Sequence, residues 1–188
     1  TLAFDWLSVN TSPVQDRASI ERALPGAREH ALFTHPTEAF ATLWPRVVAM
    51  GEERPLRVAV IGTGAEGVEI ALAARQRLPE AAITLVCGAT LPGDRSTPAV
   101  QDRLIALLKK RRVTVLQDEA KSLHGGNVQL GCGADLACDV PILASYSQAP
   151  LWIAGSGLAL DADGLPAVDV YQRSTRHSRV VTVGPNAR

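Results

Sequence analysis

A glycine-rich motif is the part of this 188-residue sequence that is best suited to chemistry. The run GTGAEG, residues 62–67, follows an apolar stretch from Leu56 to Ile61 and precedes a predicted helix. The spacing G-x-G-x-x-G between a strand and a helix is typical of loops that hold a diphosphate. Gly62 permits the tight turn, Gly64 lets the diphosphate reach the backbone without meeting a Cβ, and Gly67 lets the helix pack close to the strand. The alternative is a tight strand-to-helix turn that binds nothing.

Amide groups at the start of the predicted helix would hold the phosphates, because a helix N-terminus carries partial positive charge and unpaired N–H groups. Glu66 places a carboxylate in this first turn, where it suits the helix dipole but repels a bound anion. Its side chain therefore points away from the ligand, or the site is weakened. The candidate residues of the loop are Gly62, Thr63, Gly64, Ala65, Glu66 and Gly67.

The position that reads the adenosine ribose is expected about 20 residues after such a motif, at the end of the second strand. Cys87 and Gly88 stand there in place of the usual Asp or Glu. A thiol removes a charge-assisted hydrogen bond of roughly 1.5 to 3 kcal/mol, so a preference for NAD is not predicted. Arg95 could instead meet a 2′-phosphate, although a lone loop arginine is more often solvated. The choice between NAD and NADP stays open.

Elements around the motif alternate between strands and helices. We predict strands at 4–10, 56–61, 82–87 and 113–117, and helices over 37–50 (with a kink at Pro45), after residue 64 and over 97–111. This order predicts parallel pairing with right-handed crossovers. Beyond it, residues 124–127 (HGGN) predict a hairpin, 140–144 a buried strand, and 167–171 and 180–183 short β-prone pieces. The predicted fold class is α/β, a Rossmann-like parallel sheet with flanking helices, an antiparallel β-meander and terminal strands of a partial second domain.

Composition excludes several classes of function. Nineteen Lys and Arg balance nineteen Asp and Glu, so no basic surface for nucleic acid is expected. Hydrophobic residues make up 46% and charged residues 20%, which is ordinary for a globular protein. No apolar run approaches the ~20 residues that a transmembrane helix needs. Three cysteines are too few for a disulfide framework, so we predict reduced thiols in a cytoplasmic protein. The four histidines lack the spacing of metal ligands, so no metal site is predicted.

Extended to GTGAEGVE, residues 62–69, the motif resembles the nicotinamide domain of the flavin-dependent pyridine nucleotide-disulfide oxidoreductase superfamily, with the nearest likeness to type II NADH dehydrogenases. Residues 4–11 are similar to the strand that leaves the family's FAD domain, 140–144 to the strand that returns to it, and 155–164 to the stretch "sGL..d..G". Residues 149–152 and the region of His177 are similar to a branch fused to selenide, water dikinase.

The resemblance implies that NAD(P)H binds here and passes hydride to FAD, with Glu69 near the nicotinamide; otherwise Glu69 is a surface carboxylate. Four departures from the family matter: no glycine-rich FAD loop comes first, Thr11-Ser12 stands in place of T-G, Ser145-Tyr146 replaces the second A-T-G, and Gly184-Pro185-Asn186 replaces G-D. We therefore expect an excised segment or a reduced protein that does not hold FAD tightly. The C-x4-C pair of the disulfide reductases is also missing from the sequence, so thiol-disulfide chemistry is not predicted. A flavin domain or a fused enzyme is the expected partner.

The resemblance divides the chain into a residual FAD-domain strand and linker (1–36), an NAD(P)H-binding domain (37–148) and a return segment (149–188). Outside the loop, the candidate cofactor residues are Glu69, Cys87, Gly88, Arg95 and Ser145. Two rival functions remain: a non-catalytic module that kept the fold for regulation or for holding another enzyme, and, ranked last, an S-adenosylmethionine methyltransferase. No catalytic residue is predicted.

Overall fold

A computed structural model describes residues 3–62, 64–93, 96–145, 147–162 and 164–184. The helices are α1 (Arg17–Ala23), α2 (Ala27–His30), α3 (Thr37–Glu53), α4 (Ala65–Arg77) and α5 (Pro98–Lys110), with a 3-10 turn at Leu151–Ile153. The strands are β1 (Leu7–Val9), β2 (Val14–Gln15), β3 (Leu32–Phe33), β4 (Arg57–Ile61), β5 (Ala82–Val86), β6 (Val113–Leu116), β7 (Ala120–His124), β8 (Asn127–Leu130), β9 (Asp135–Ala137), β10 (Val140–Leu143), β11 (Ser147–Gln148) and β12 (Val180–Thr182).

The chain forms two compact units, one of residues 15–146 and one that joins residues 1–14 to 147–188. The larger unit is built on a five-stranded sheet in the order β3-β10-β4-β5-β6, with every neighbouring pair parallel. Strands β7, β8 and β9 form a separate antiparallel meander. The predicted fold class is confirmed. The domain boundaries drawn from the resemblance stay predictions.

Alternate residues of β4 pack into two separate hydrophobic cores. Val58 and Val60 pack with α4, α5 and part of α3, whereas Ala59 and Ile61 pack with α1 and the meander. All four are at most 6% exposed. A parallel sheet buried on both faces requires such a continuous apolar run, because each face must be covered by another layer. Helices therefore cover one face of this sheet, and the meander with α1 covers the other.

The smaller unit contains a parallel pair, β1 with β12. The piece predicted at 167–171 is not a regular strand: Val168 makes only an isolated bridge to Ser174. The reason is local, because the Asp169 carboxylate accepts hydrogen bonds from the amides of Tyr171 and Arg173 and bends the chain into a turn. The strand predicted at 4–10 is shorter than expected and is confined to β1.

Four elements before residue 36 were not predicted, namely β2, α1, α2 and β3. Helix α1 begins at Asp16, whose carboxylate accepts hydrogen bonds from the amides of Ala18 and Ser19. Because aspartate is a preferred N-cap residue, Asp16 is a sequence signal from which the start of α1 could have been predicted. Strand β3 has two residues and pairs with β10, more than a hundred positions later, so no local pattern could have shown it. Helix α3 continues through Pro45 to Glu53.

Candidate functional site

A cleft of about 310 Å³ opens at the carboxyl ends of the central strands. Ile61 and Gly62 come from the end of β4, Val86 and Gly88 from the end of β5, and Ser145 follows β10. From β4 the chain crosses to β5 on one side, while β10 returns on the other side of β4. Such a point, where the strand order reverses, is where open α/β sheets bind their ligands. The structure thus brings Gly62, Gly88 and Ser145 together.

The three glycines of the motif have three different surroundings. A Cβ on Gly62 would lie 2.5 Å from the carbonyl oxygen of Ala144, and one on Gly67 would lie 2.7 Å from that of Gly62. A Cβ on Gly64 would meet nothing within 4 Å. Gly62 and Gly67 are therefore required by the packing of strand and helix, whereas Gly64 leaves open space above the loop.

The start of α4 has no side-chain cap. Gly64 is the N-cap residue, with φ −80° and ψ −180°, and it has no side chain that could accept from the amides of the first turn. Ala65, the first helical residue, is exposed. An uncapped helix start with open space over its N-cap is suited to bind an anion. Thr63 lies outside the described residues.

The side chain of Glu66 is held by a histidine from a distant part of the sequence. Its Oε1 lies 3.2 Å from Nε2 of His35, in the segment between β3 and α3. The His35 side chain is 13% exposed, and its Nδ1 is buried with no hydrogen-bond partner among the described residues. The structure shows that the Glu66 carboxylate contacts His35, and the choice between the two alternatives for Glu66 stays a prediction.

A buried glutamine fixes this part of the site. Gln15 is 7% exposed, and its Nε2 donates to the carbonyl oxygens of Leu143 (2.9 Å) and Ser145 (2.7 Å). Its Oε1 accepts from the amide of His35 at 2.9 Å. One side chain thus ties the end of β10 to the segment that carries His35. Sequence reasoning missed Gln15 and His35, and no motif could have revealed them because their partners are distant in sequence.

The end of β5 differs from the predicted arrangement in one respect. Cys87 is fully buried, and its thiol donates a hydrogen bond to the carbonyl oxygen of Leu116 at 3.3 Å. Burial raises the pKa of this thiol. Gly88, with φ +65°, lies at the cleft instead. That the Cys87-Gly88 segment contacts a ribose stays a prediction, and in this structure Gly88 is the member that can do so.

The remaining candidates, Ser145, Glu69 and Arg95, differ in their position relative to the cleft. Ser145 lines it, and its Oγ is buried without a hydrogen-bond partner in the described part of the chain. Glu69 is exposed on α4, one turn after Glu66. Arg95 lies outside the described residues. A second cavity, of about 650 Å³, belongs to the smaller unit and contains none of the predicted site residues.

The family can be assigned from sequence comparison. The family model described as pyridine nucleotide-disulphide oxidoreductase matches residues 22–185. The chain belongs to this family. No curated protein sequence matches it. The likeness to the branch fused to selenide, water dikinase stays a prediction.

Several solved structures share the fold of this chain. Reduced CoADR-RHD of Bacillus anthracis is 22% identical with a TM-score of 0.74, and the match covers 98% of this chain and 32% of that one. The water-forming NADH oxidase of Lactobacillus brevis bound to NADH is 16% identical, with a TM-score of 0.72 and coverage of 99% and 40%. NDH2 of Plasmodium falciparum in complex with NADH is 14% identical, with a TM-score of 0.69 and coverage of 100% and 44%. The chain spans less than half the length of each.

In the part of the chain that the structure describes, no helix combines the length and the apolar character that crossing a membrane requires.

The three free thiols are predicted to differ in reactivity. Cys132 is exposed, whereas Cys87 and Cys138 are at most 2% exposed, and burial raises the pKa of Cys138 to about 11. Because the thiolate is the reactive form, we expect one thiol per chain to react with Ellman's reagent at pH 8 in the native protein and three in denaturant. Replacing Cys132 with serine should remove the native reaction. Rapid reaction of a second thiol would contradict the burial seen here.

Proposed function

We propose that this chain binds NAD(P)H in the cleft at the ends of β4, β5 and β10, and that the cofactor passes hydride to a flavin held by a part of the whole protein outside this chain. The observation that carries the proposal is the open space over Gly64 at the uncapped start of α4. The diphosphate would lie there, against amides of the first helical turn. Family membership and NADH-bound neighbours with this fold support the choice of ligand.

The chain's own residues would bind and orient the cofactor. Gly62 and Gly67 keep strand and helix close enough for the loop to present its amides, and Gly88 lines the cleft where the adenosine is expected. Glu69 would lie near the nicotinamide, as the family resemblance implies, and would position it without acting as an acid or a base. When bound, NAD(P)H supplies the hydride.

Tight FAD binding is not part of the proposal. The sequence departs from the family at Ser145-Tyr146 and at Gly184-Pro185-Asn186, and Tyr146, Pro185 and Asn186 lie outside the described residues. The flavin is therefore assigned to the rest of the whole protein, and the isolated chain is expected to bind nucleotide without turning it over.

Calorimetric titration of the purified chain with NADH, NADPH and ADP-ribose tests the proposal. We expect binding with a stoichiometry of one, including binding of ADP-ribose, because the diphosphate contacts do not need the nicotinamide. Absence of heat with all three ligands, confirmed by unchanged NADH fluorescence, would contradict nucleotide binding. The rival proposal, a non-catalytic interaction module, would then stand.

Removing the charge of Glu66 is predicted to strengthen binding. The carboxylate lies in the first turn of α4 beside the proposed diphosphate, and its contact with His35 offsets its charge only while the imidazole is protonated. We expect Glu66→Gln to bind NADH about three to ten times more tightly, with the gain shrinking at high salt. Glu80→Gln is a matched control, because Glu80 precedes β5 at the opposite end of the sheet. Weaker binding by Glu66→Gln would show that the carboxylate assists the ligand.

A further inference from the structure

The cleft lacks the acidic residue that dinucleotide sites usually place at the end of the second strand. Cys87 occupies that position, and its buried thiol is committed to the carbonyl oxygen of Leu116. A ribose needs acceptors for its hydroxyl groups, so another residue of the cleft wall must supply one if the site is to distinguish the adenosine end of its ligand. This need for an acceptor rests on the proposed function.

The segment after β6 is hydrogen-bonded to the loop after β5. The amide of Gly88 donates to the carbonyl oxygen of Asp118 at 2.9 Å, and Nε2 of Gln117 donates to the carbonyl oxygen of Ala89 at 2.7 Å. Residues that follow β6 are thereby held beside Gly88. Glu119, Ala120 and Lys121 line the same cleft as Gly62 and Gly88.

The two carboxylates in this segment have different partners. Asp118 accepts hydrogen bonds from the amides of Glu119 and Cys132, and contact with the Cys132 side chain lowers the pKa of Asp118. Its carboxylate is therefore used to shape the turn. The Glu119 side chain is 54% exposed and is ion-paired with Lys121, which is 55% exposed. An exposed pair of opposite charges can exchange partners at little cost.

We propose that Glu119, from the segment between β6 and β7, reads the adenosine ribose in place of the missing acidic residue at the end of β5, and that its ion pair with Lys121 sets the choice between NADH and NADPH. The Glu119 carboxylate accepts hydrogen bonds from the ribose hydroxyl groups and repels a 2′-phosphate. Lys121 opposes this effect, because its ammonium group attracts a 2′-phosphate and neutralises Glu119.

Titrations with NADH and NADPH on paired variants test the inference, read as the ratio of the two dissociation constants. We expect Glu119→Gln to shift the ratio about tenfold toward NADPH, and Lys121→Met to shift it several-fold toward NADH. Both side chains are more than half exposed, so the variants should keep the melting temperature of the parent chain. Glu80→Gln, a carboxylate at the opposite end of the sheet, should leave the ratio unchanged.

The outcomes separate this inference from the proposed function. If the parent chain binds both cofactors and neither Glu119→Gln nor Lys121→Met changes the ratio by more than about twofold, the assignment of Glu119 is overturned and the nucleotide site stands. If a variant shifts the ratio in the direction opposite to that expected, the assignment is also overturned. If the parent chain binds no nucleotide, the proposed function and this inference both fail.

Discussion

Replacing Gly64 with valine is expected to weaken the affinity of the chain for NADH by at least about 100-fold, or about 3 kcal/mol. A Cβ added at this position would meet nothing within 4 Å, and the branches of a valine would extend from it into the space assigned to the diphosphate. The backbone at Gly64, with φ −80°, is accessible to any residue. The dissociation constant measured by calorimetry, together with the melting temperature, checks both parts of the prediction.

Two further variants make this result specific. Gly64→Thr adds a β-branched side chain of nearly the same shape as that of valine, and threonine is a good N-cap residue, so this variant should lose binding with no loss of helix stability. Gly125→Val, in the hairpin between β7 and β8, also adds a Cβ that would meet nothing within 4 Å, and it should leave NADH binding unchanged. If Gly64→Val binds NADH as the parent chain does, the ligand does not lie over this loop.

Replacing Asp139 with alanine is expected to lower the free energy of unfolding of the larger unit by about 2 to 3 kcal/mol, with a fall in melting temperature of about 4 to 10 °C. The Asp139 carboxylate accepts hydrogen bonds from the backbone amide (2.8 Å), Nε (3.1 Å) and Nη2 (2.9 Å) of Arg57, and Arg54 lies 3.3 Å away. The Asp139 side chain is only 11% exposed. It connects the start of β4 to the start of β10, so its loss leaves the Arg57 amide without its partner.

The effect of Asp139 should depend on pH in one direction. The Arg57 guanidinium, which donates hydrogen bonds to this carboxylate, holds the pKa of Asp139 well below its ordinary value of 3.8. A group whose pKa is lowered in the folded state stabilises the fold fully above the unfolded pKa, and that stabilisation is lost as the pH falls toward the folded pKa. The difference in unfolding free energy between the parent chain and Asp139→Ala should therefore be constant between pH 6 and 8 and shrink below about pH 4.

Denaturant unfolding at several pH values measures this difference. Asp135→Asn, an exposed aspartate of β9, is the control and should change stability by less than about 0.5 kcal/mol. Because Asp139 lies at the amino ends of the strands, opposite the cleft, the NADH affinity of Asp139→Ala should equal that of the parent chain. A stability difference that grows as the pH falls would contradict the role assigned to this carboxylate.

Local signals in the sequence determined the parallel α/β core and the position of the loop. Three features lie within about 25 consecutive residues: the apolar run that becomes β4, the glycines after it, and the apolar face of the following helix. Each reflects a local backbone preference or periodicity that needs no distant partner. For this reason strands β4, β5, β6 and β10 and helices α4 and α5 were predicted within a few residues of their observed bounds. The same signals predicted that Gly62 and Gly67 lie where the chain packs too closely to admit a side chain.

Only the tertiary structure decided which other side chains belong to the cleft. Strand β10 is inserted between β3 and β4 after the meander, and this places Gln15, which the sequence did not indicate, against the carbonyl oxygen of Ser145 across 130 positions of sequence. His35 reaches Glu66 from the segment between β3 and α3, and Glu119 lines the cleft whereas Cys87 is buried. These contacts depend on strand order and loop closure, which arise from the packing of the whole unit and leave no trace in local spacing.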